Sequence, residues 1–221
     1  MALKLWHCAM SRSIRPLWTL EEMGLDFEIE VMPFPPRFMH AGYTEINPIG
    51  TVPFFSDSND PENLVTMTES TGISQYLVDR YGPSNLAVAP TEAAYGDYLN
   101  WLHRSDATLT FPQTLVLRYT VLEPEETRLP KVADDYTKWF YARLRSVELA
   151  LQDGREFLCA DRFTIADIAI GYALYLADTL KLGEMVGREF TPQVRDYLDR
   201  LRDRPAFQRA DAMDVGQAPT R

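Results

Sequence analysis

The chain has 221 residues, of which 46% are hydrophobic and 24% are charged, and its formal net charge is −10 at pH 7. This composition is typical of a globular protein, and the length suits one large domain or two modest ones. The negative charge argues against binding to nucleic acid or to an anionic membrane, because both need a basic surface. No signal peptide or membrane span is expected. The two cysteines, Cys8 and Cys159, predict no disulfide framework, and a cytoplasmic location is expected.

The first eighty residues alternate between strand and helix patterns, in the order β-α-β followed by β-β-α. This order predicts a four-stranded mixed sheet with helices, the thioredoxin-like arrangement. The segment PFPPRFMHAGY (33–43) is predicted to be a loop, because its prolines exclude regular structure. The expected elements are a strand over 3–7, a helix over 14–23, strands over 27–31, 54–55 and 64–67, and a helix over 68–81.

The pattern after residue 91 is helical throughout. We therefore expect an α/β thioredoxin-like domain over residues 1–82, a linker over 83–92 and an all-helical C-terminal domain over 93–221. Within the helical part, Thr164 is predicted to cap a helix, with Asp167 completing a capping box. The helix that follows is apolar nearly all round, so it should lie at the centre of its domain.

Four motifs follow one another along nearly the whole sequence: SRSIRPLWTLEEMGLDFE (11–28), INPIGTVPFF (46–55), TESTGISQYL (68–77) and FTIADIAI (163–170). In the order and spacing of these motifs, the sequence resembles the cytosolic glutathione transferases. Within that family it resembles the bacterial-type branch that has a serine active site. The resemblance implies glutathione as co-substrate and no metal.

The proline inside NPIGTVPFF needs an explanation, because proline cannot donate to a strand ladder. The resemblance implies that Pro53 follows a cis peptide bond and that Val52 pairs its backbone N–H and C=O with the cysteinyl unit of glutathione. An extended peptide can add to an exposed backbone edge in this way. The alternative is an ordinary trans turn.

Glu69 and Ser70 fall in the first turn of the helix predicted over 68–81, with Thr68 as its cap. Free N–H groups and the helix dipole there favour an anion. The γ-glutamyl carboxylate of glutathione would then lie beside the Ser70 hydroxyl, and Glu69 would bind the α-ammonium. The alternative is that these residues only cap the helix.

Ser11 matches the serine that hydrogen-bonds the glutathione sulfur in the serine-type branch. A hydroxyl donor beside a helix N-terminus stabilises a thiolate and lowers the thiol pKa from about 8.5. Ser13 is the second candidate, and either serine could be only a cap. Arg15 is expected at the surface. His40 matches a region that supplies a cation to the glycine carboxylate, with Arg37 as the alternative.

Cys8 supports a competing hypothesis, since CAMS has the Cys-x-x-Ser spacing of a redox pair. A mixed disulfide between Cys8 and glutathione would make the protein a thiol oxidoreductase. A strand position, however, favours a buried and inert thiol. A pocket for the second substrate is expected between the domains, with Trp101, Phe111 and Tyr119 as candidate residues, although aromatic residues at helical spacing are more often core.

The sequence thus predicts a detoxification enzyme, a glutathione transferase that activates the thiol for attack on a hydrophobic electrophile. A glutathione-dependent lyase, isomerase or dehalogenase is an alternative that uses the same thiolate. A non-catalytic interaction protein on the same fold is a third possibility. The resemblance implies a homodimer, and no nucleic-acid or membrane partner is expected. The sequence does not identify the electrophile.

Overall fold

The computed structural model describes residues 2–213. The protein forms two compact units, one of residues 2–87 with 202–213 and one of residues 88–201. No helix among the described residues is long and apolar enough to cross a bilayer. The strands are β1 (Leu3–His7), β2 (Glu28–Val31), β3 (Phe54–Asp57) and β4 (Val65–Met67). The helices are α1 (Ile14–Met23), α2 (Pro36–Met39), α3 (Tyr43–Ile46), α4 (Ser70–Arg80), α5 (Tyr95–Arg104), α6 (Phe111–Leu117), α7 (Pro130–Ala150), α8 (Ile165–Thr179), α9 (Leu182–Val186), α10 (Pro192–Arg202) and α11 (Pro205–Asp211).

The four strands form one mixed sheet in the order β2-β1-β3-β4, which confirms the predicted fold class. β1 pairs parallel with β2, whereas β3 pairs antiparallel with both β1 and β4. Parallel neighbours need a crossover connection, and α1 supplies it. β1 is an interior strand, and four of its five residues are buried.

Helix α1 is buried from Ile14 to Glu21 and ends at Gly24, whose φ of 63° lies in the left-handed region that glycine adopts without strain. The far C-terminal helix α11 packs on α1. The rings of Trp18 and Phe207 meet edge to face at 4.9 Å. The predicted helical domain over 93–221 included the residues of α11, which here group with residues 2–87. The predicted domain boundaries at residues 82 and 93 stay a prediction.

The prediction of a plain loop over 33–43 was wrong, because two single-turn helices, α2 and α3, begin there. Pro36 occupies the first position of α2, where the missing N–H would have no intrahelical partner in any case. A cluster of prolines therefore excluded a strand but not the start of a helix.

Helix α8 is buried at every position from Ile165 to Ala177, as its apolar pattern predicts. The capping box is confirmed, with the N–H of Thr164 donating to Asp167 Oδ2 at 2.9 Å. The buried Asp167 also accepts the N–H of Leu158 at 2.9 Å and the O–H of Tyr197 at 2.8 Å. The box thus joins three segments of the helical unit.

We expect Thr164→Ala to lower the free energy of unfolding by about 1–2 kcal/mol, because the first turn of α8 loses its side-chain acceptor inside the core. Thr164→Ser keeps the hydroxyl and should lose clearly less. Urea denaturation followed by circular dichroism measures both. Equal urea midpoints for wild type and the alanine variant would contradict a stabilising role for the box.

Candidate functional site

The strand register brings the predicted binding residues to one edge of the sheet. β1 and β2 are parallel and end side by side, β3 begins at that same end, and β4 returns to it. The segments that follow β1, β2 and β4 and the turn before β3 therefore share this edge. They carry Ser11, His40, Val52, Glu69 and Ser70.

Ser11 lies between β1 and α1, and its side chain is half-buried. Its Oγ donates to the backbone C=O of Cys8 at 2.8 Å and accepts the N–H of Ser13 at 3.3 Å. Because Ser11 lies two residues before the backbone N-cap Ser13, this bond stabilises the turn that precedes α1. Ser13 is the backbone N-cap of α1, but its side chain forms no capping hydrogen bond.

Ser13 is fully buried, and its side chain contacts residues that precede it in the chain. Its Oγ lies 2.7 Å from Nδ1 of His7 and 2.6 Å from Oγ of Ser11, and it accepts the N–H of Cys8 at 3.2 Å. Of the two serines that the sequence left as candidates, Ser11 is the more accessible. Sequence analysis missed His7 as a partner, although a histidine inside an apolar strand signals a buried polar contact.

Cys8 has no exposed surface, and burial raises the pKa of its thiol to about 12. A thiol with that pKa is neutral at pH 7, and the thiolate is the reactive form. This geometry disfavours Cys8 as a nucleophile. Its neighbours form an apolar cluster of Trp6, Met32, Tyr43 and Val52.

The Val52–Pro53 peptide bond is cis, as the resemblance implies. β3 begins at Phe54, so the backbone of Val52 lies outside the strand ladder. The C=O just before it, that of Thr51, accepts the O–H of Tyr43 at 2.6 Å and Nδ2–H of Asn47 at 2.8 Å. Two side chains of the α3 segment thus hold the turn before β3.

Gly50 makes this turn possible. Its φ is 68°, and a Cβ at this position would lie 2.8 Å from Cβ of Arg37. Both its backbone conformation and the space around it therefore favour glycine.

Helix α4 begins at Ser70 with Glu69 as its backbone N-cap, so the predicted cap at Thr68 was wrong. Glu69 is exposed, whereas Ser70 is buried. Arg15 of α1 donates from Nη1 to Oγ of Ser70 at 3.0 Å. Arg15 is fully buried, which corrects its expected place at the surface. In the sequence, Arg15 stands among apolar residues of α1, and this position was the signal for a buried polar partner.

His40 lies at the end of α2, and its Nε2 is 3.2 Å from Oε1 of Glu30 on β2. Lys4 contacts the other oxygen of the same carboxylate at 3.0 Å. Arg37 is exposed, and its guanidinium stacks over the ring of Phe38 at 4.9 Å. The structure therefore engages His40 with a carboxylate and leaves Arg37 at the surface.

The candidates for the second substrate lie in the helical unit: Trp101 on α5, Phe111 at the start of α6 and Tyr119 just after α6. Trp101 is 7% exposed, with the guanidinium of Arg104 over its ring at 4.7 Å. Phe111 is 57% exposed, and Tyr119 is half-buried. Phe111 and Tyr119 thus present more of their surface than Trp101. Within residues 2–213, no cluster of three or more histidine, cysteine or acidic residues could hold a metal ion.

Comparison with known proteins assigns the family. Residues 9–80 match the glutathione S-transferase N-terminal domain, and residues 138–200 match the C-terminal domain. Glutathione S-transferase 3 of Schizosaccharomyces pombe is 25% identical over 214 residues, covering 91% of this chain and 84% of that protein. Glutathione S-transferase GstA of Escherichia coli O157:H7 is 28% identical, covering 94% of this chain and 96% of that protein.

A crystal structure of a glutathione transferase family member from Pseudomonas fluorescens Pf-5, with two glutathione bound, is also similar. Its sequence is 25% identical, and it superimposes with a TM-score of 0.79 over 95% of this chain and 92% of its own. The mixed sheet described above is accordingly the thioredoxin-like N-terminal part of that fold, followed by a helical C-terminal part. The chain belongs to the glutathione S-transferase family.

Proposed function

We propose that this protein is a glutathione transferase in which Ser11 stabilises the glutathione thiolate for attack on a hydrophobic electrophile. The observation that carries this proposal is the half-buried Ser11 hydroxyl at the sheet edge, just before the N-terminus of α1. Membership of the family supports the reaction class. The two glutathione molecules bound to the Pseudomonas fluorescens relative support glutathione as the ligand.

The chemical task is to ionise the glutathione thiol. An unperturbed thiol titrates near 8.5, and lowering its pKa by about two units needs roughly 2.7 kcal/mol. A charge-assisted hydrogen bond from Ser11 and the positive end of α1 are together sufficient. Cys8, by contrast, is a buried thiol with a raised pKa, so we do not assign it a redox role.

The peptide part of glutathione would bind along the same edge. Val52 offers backbone groups outside the ladder, to which an extended peptide can add. Because Arg15 donates to Ser70, the Ser70 Oγ already acts as an acceptor, and its own proton is left to bind a carboxylate. The N–H groups at the start of α4, an 11-residue helix, favour the same anion.

Two remaining assignments concern the ends of glutathione. The exposed Glu69 would take the α-ammonium of the γ-glutamyl unit. His40 would have to leave Glu30 to bind the glycine carboxylate, since the two side chains are now 3.2 Å apart. For the electrophile, we propose that Trp101, Phe111 and Tyr119 line the binding surface.

Glutathione binding is tested by calorimetry on wild type and Glu69→Ala. We expect the alanine variant to bind at least tenfold more weakly, as the loss of a hydrogen bond between charged groups costs about 1.5–3 kcal/mol. Glu62→Ala, which removes an exposed acid before β4, is the matched control and should bind as wild type does. A wild-type protein that binds no glutathione at saturating concentration would refute the proposed function.

The role of Ser11 is tested by replacing it with alanine. Ser11→Ala should raise the pKa of bound glutathione and lower turnover of a chloronitrobenzene electrophile at pH 7 by ten- to a thousandfold, since one charge-assisted donor is worth about 1.5–4 kcal/mol. The ultraviolet absorbance of the thiolate reports the pKa directly. Cys8→Ser should leave turnover nearly unchanged. Abolished activity in Cys8→Ser with a silent Ser11→Ala would instead identify a thiol oxidoreductase.

We also propose that the protein forms a homodimer, as the family resemblance implies. Dimers with twofold symmetry are the commonest homo-oligomers. Light scattering at micromolar concentration should report twice the mass of one protomer. A mass equal to a single protomer would exclude the dimer.

A further inference from the structure

A continuous series of hydrogen bonds leads from the core to Ser11. Nδ1 of His7 lies 2.7 Å from Oγ of Ser13, and Oγ of Ser13 lies 2.6 Å from Oγ of Ser11. His7 is 1% exposed and Ser13 is fully buried, so solvent does not compete for these bonds. We call this set the His7–Ser13–Ser11 relay.

Each serine in the relay has only one proton to donate. Ser11 can donate that proton to the Cys8 carbonyl at 2.8 Å, to Ser13 at 2.6 Å or to a thiolate. If Ser13 donates to Ser11, the Ser11 proton cannot point at Ser13. It is then shared only between a neutral carbonyl and an anion, and the anion is the stronger acceptor.

The direction of the Ser13 proton depends on His7. If Nδ1 of His7 carries no proton, it accepts the Ser13 proton, and Ser13 Oγ is left to accept from Ser11. If Nδ1 carries a proton, it donates to Ser13 together with the N–H of Cys8 at 3.2 Å. Ser13 then donates onward to Ser11 at 2.6 Å, a shorter contact than the 3.3 Å between Ser13 Oγ and the Cys8 carbonyl. In this second arrangement Ser13 no longer competes for the Ser11 proton, which can point at the glutathione sulfur.

We propose that His7, with a proton on Nδ1, is a positioning residue that orders the His7–Ser13–Ser11 relay so that Ser11 donates to the glutathione thiolate. The inference rests on the proposed role of Ser11 and assigns a second, buried residue to the same reaction. His7 does not touch glutathione in this arrangement. It acts through Ser13.

The test compares His7→Leu, which removes both ring nitrogens, with His7→Asn, which keeps an N–H near the position of Nδ1. His7→Leu should raise the pKa of bound glutathione and lower kcat at pH 7 by about three- to tenfold, the range for one net hydrogen bond. The dissociation constant of glutathione should change less than about twofold, because the peptide part binds elsewhere. His7→Asn should restore most of kcat. Equal thiol pKa values in wild type and His7→Leu would overturn the proposal.

Ser13→Ala provides a second and smaller perturbation, in case His7→Leu does not fold. It should raise the thiol pKa as His7→Leu does, because Ser11 Oγ loses the hydrogen bond that polarises its own O–H and makes it a stronger donor. The double variant should add little, because both changes break one relay. Additive effects of the two substitutions on the thiol pKa would overturn the proposal.

Ser11→Ala is measured in parallel. If it leaves the thiol pKa unchanged, the proposed function fails. If it raises that pKa while His7→Leu and Ser13→Ala do not, only the relay is refuted.

The protonation of His7 Nδ1 can also be measured directly by NMR in the wild-type protein. The sequence has three histidines, so ¹⁵N-histidine labelling yields few signals, and His7→Asn assigns the signal of His7 by its disappearance. With glutathione bound, we expect the ¹⁵N shift of a protonated Nδ1. An unprotonated Nδ1 in the complex would overturn the proposal.

Discussion

The backbone carbonyl of Cys8 is the point on which the site depends. It accepts the N–H of Ser11 at 3.3 Å and the O–H of Ser11 at 2.8 Å, and Oγ of Ser13 lies 3.3 Å away. These bonds close the turn between β1 and α1, and both flanking elements are largely buried and cannot shift easily. Ser11 is consequently held at a defined place beside a helix N-terminus, where a developing negative charge is stabilised.

Polar side chains support Ser70 and the turn before Val52, two of the proposed binding positions. Arg15 supports Ser70 from inside the unit, while Tyr43 and Asn47 hold the carbonyl that precedes Val52. A second buried bond between α1 and α4, from Thr19 to Ser74 at 2.9 Å, runs beside the Arg15 contact. A buried polar group without a partner costs free energy, so each pair is specified strongly. The proposed binding edge is therefore held in place by residues that glutathione would not touch in the proposed mode.

Local patterns predicted most elements, because each depends on a few neighbouring residues. The bounds of β1 and α1 agree with the periodicity of the sequence, and the capping box at Thr164 is a contact within a single turn. The failures have physical causes. The prolines of 33–43 suit the first position of a helix as well as a loop, and Arg15 was judged by its charge alone. A charged residue is readily buried when a distant partner satisfies it.

By itself, the sequence determined the order of strands and helices, the mixed sheet and the family, since these follow from periodicity and from contiguous motifs. Tertiary structure alone decided which of two serines is accessible and that Arg15 reaches Ser70. These properties depend on burial and on partners such as Arg15 and Ser70, which are 55 positions apart. The packing of α1 on α4, rather than any local preference, brings these two residues together.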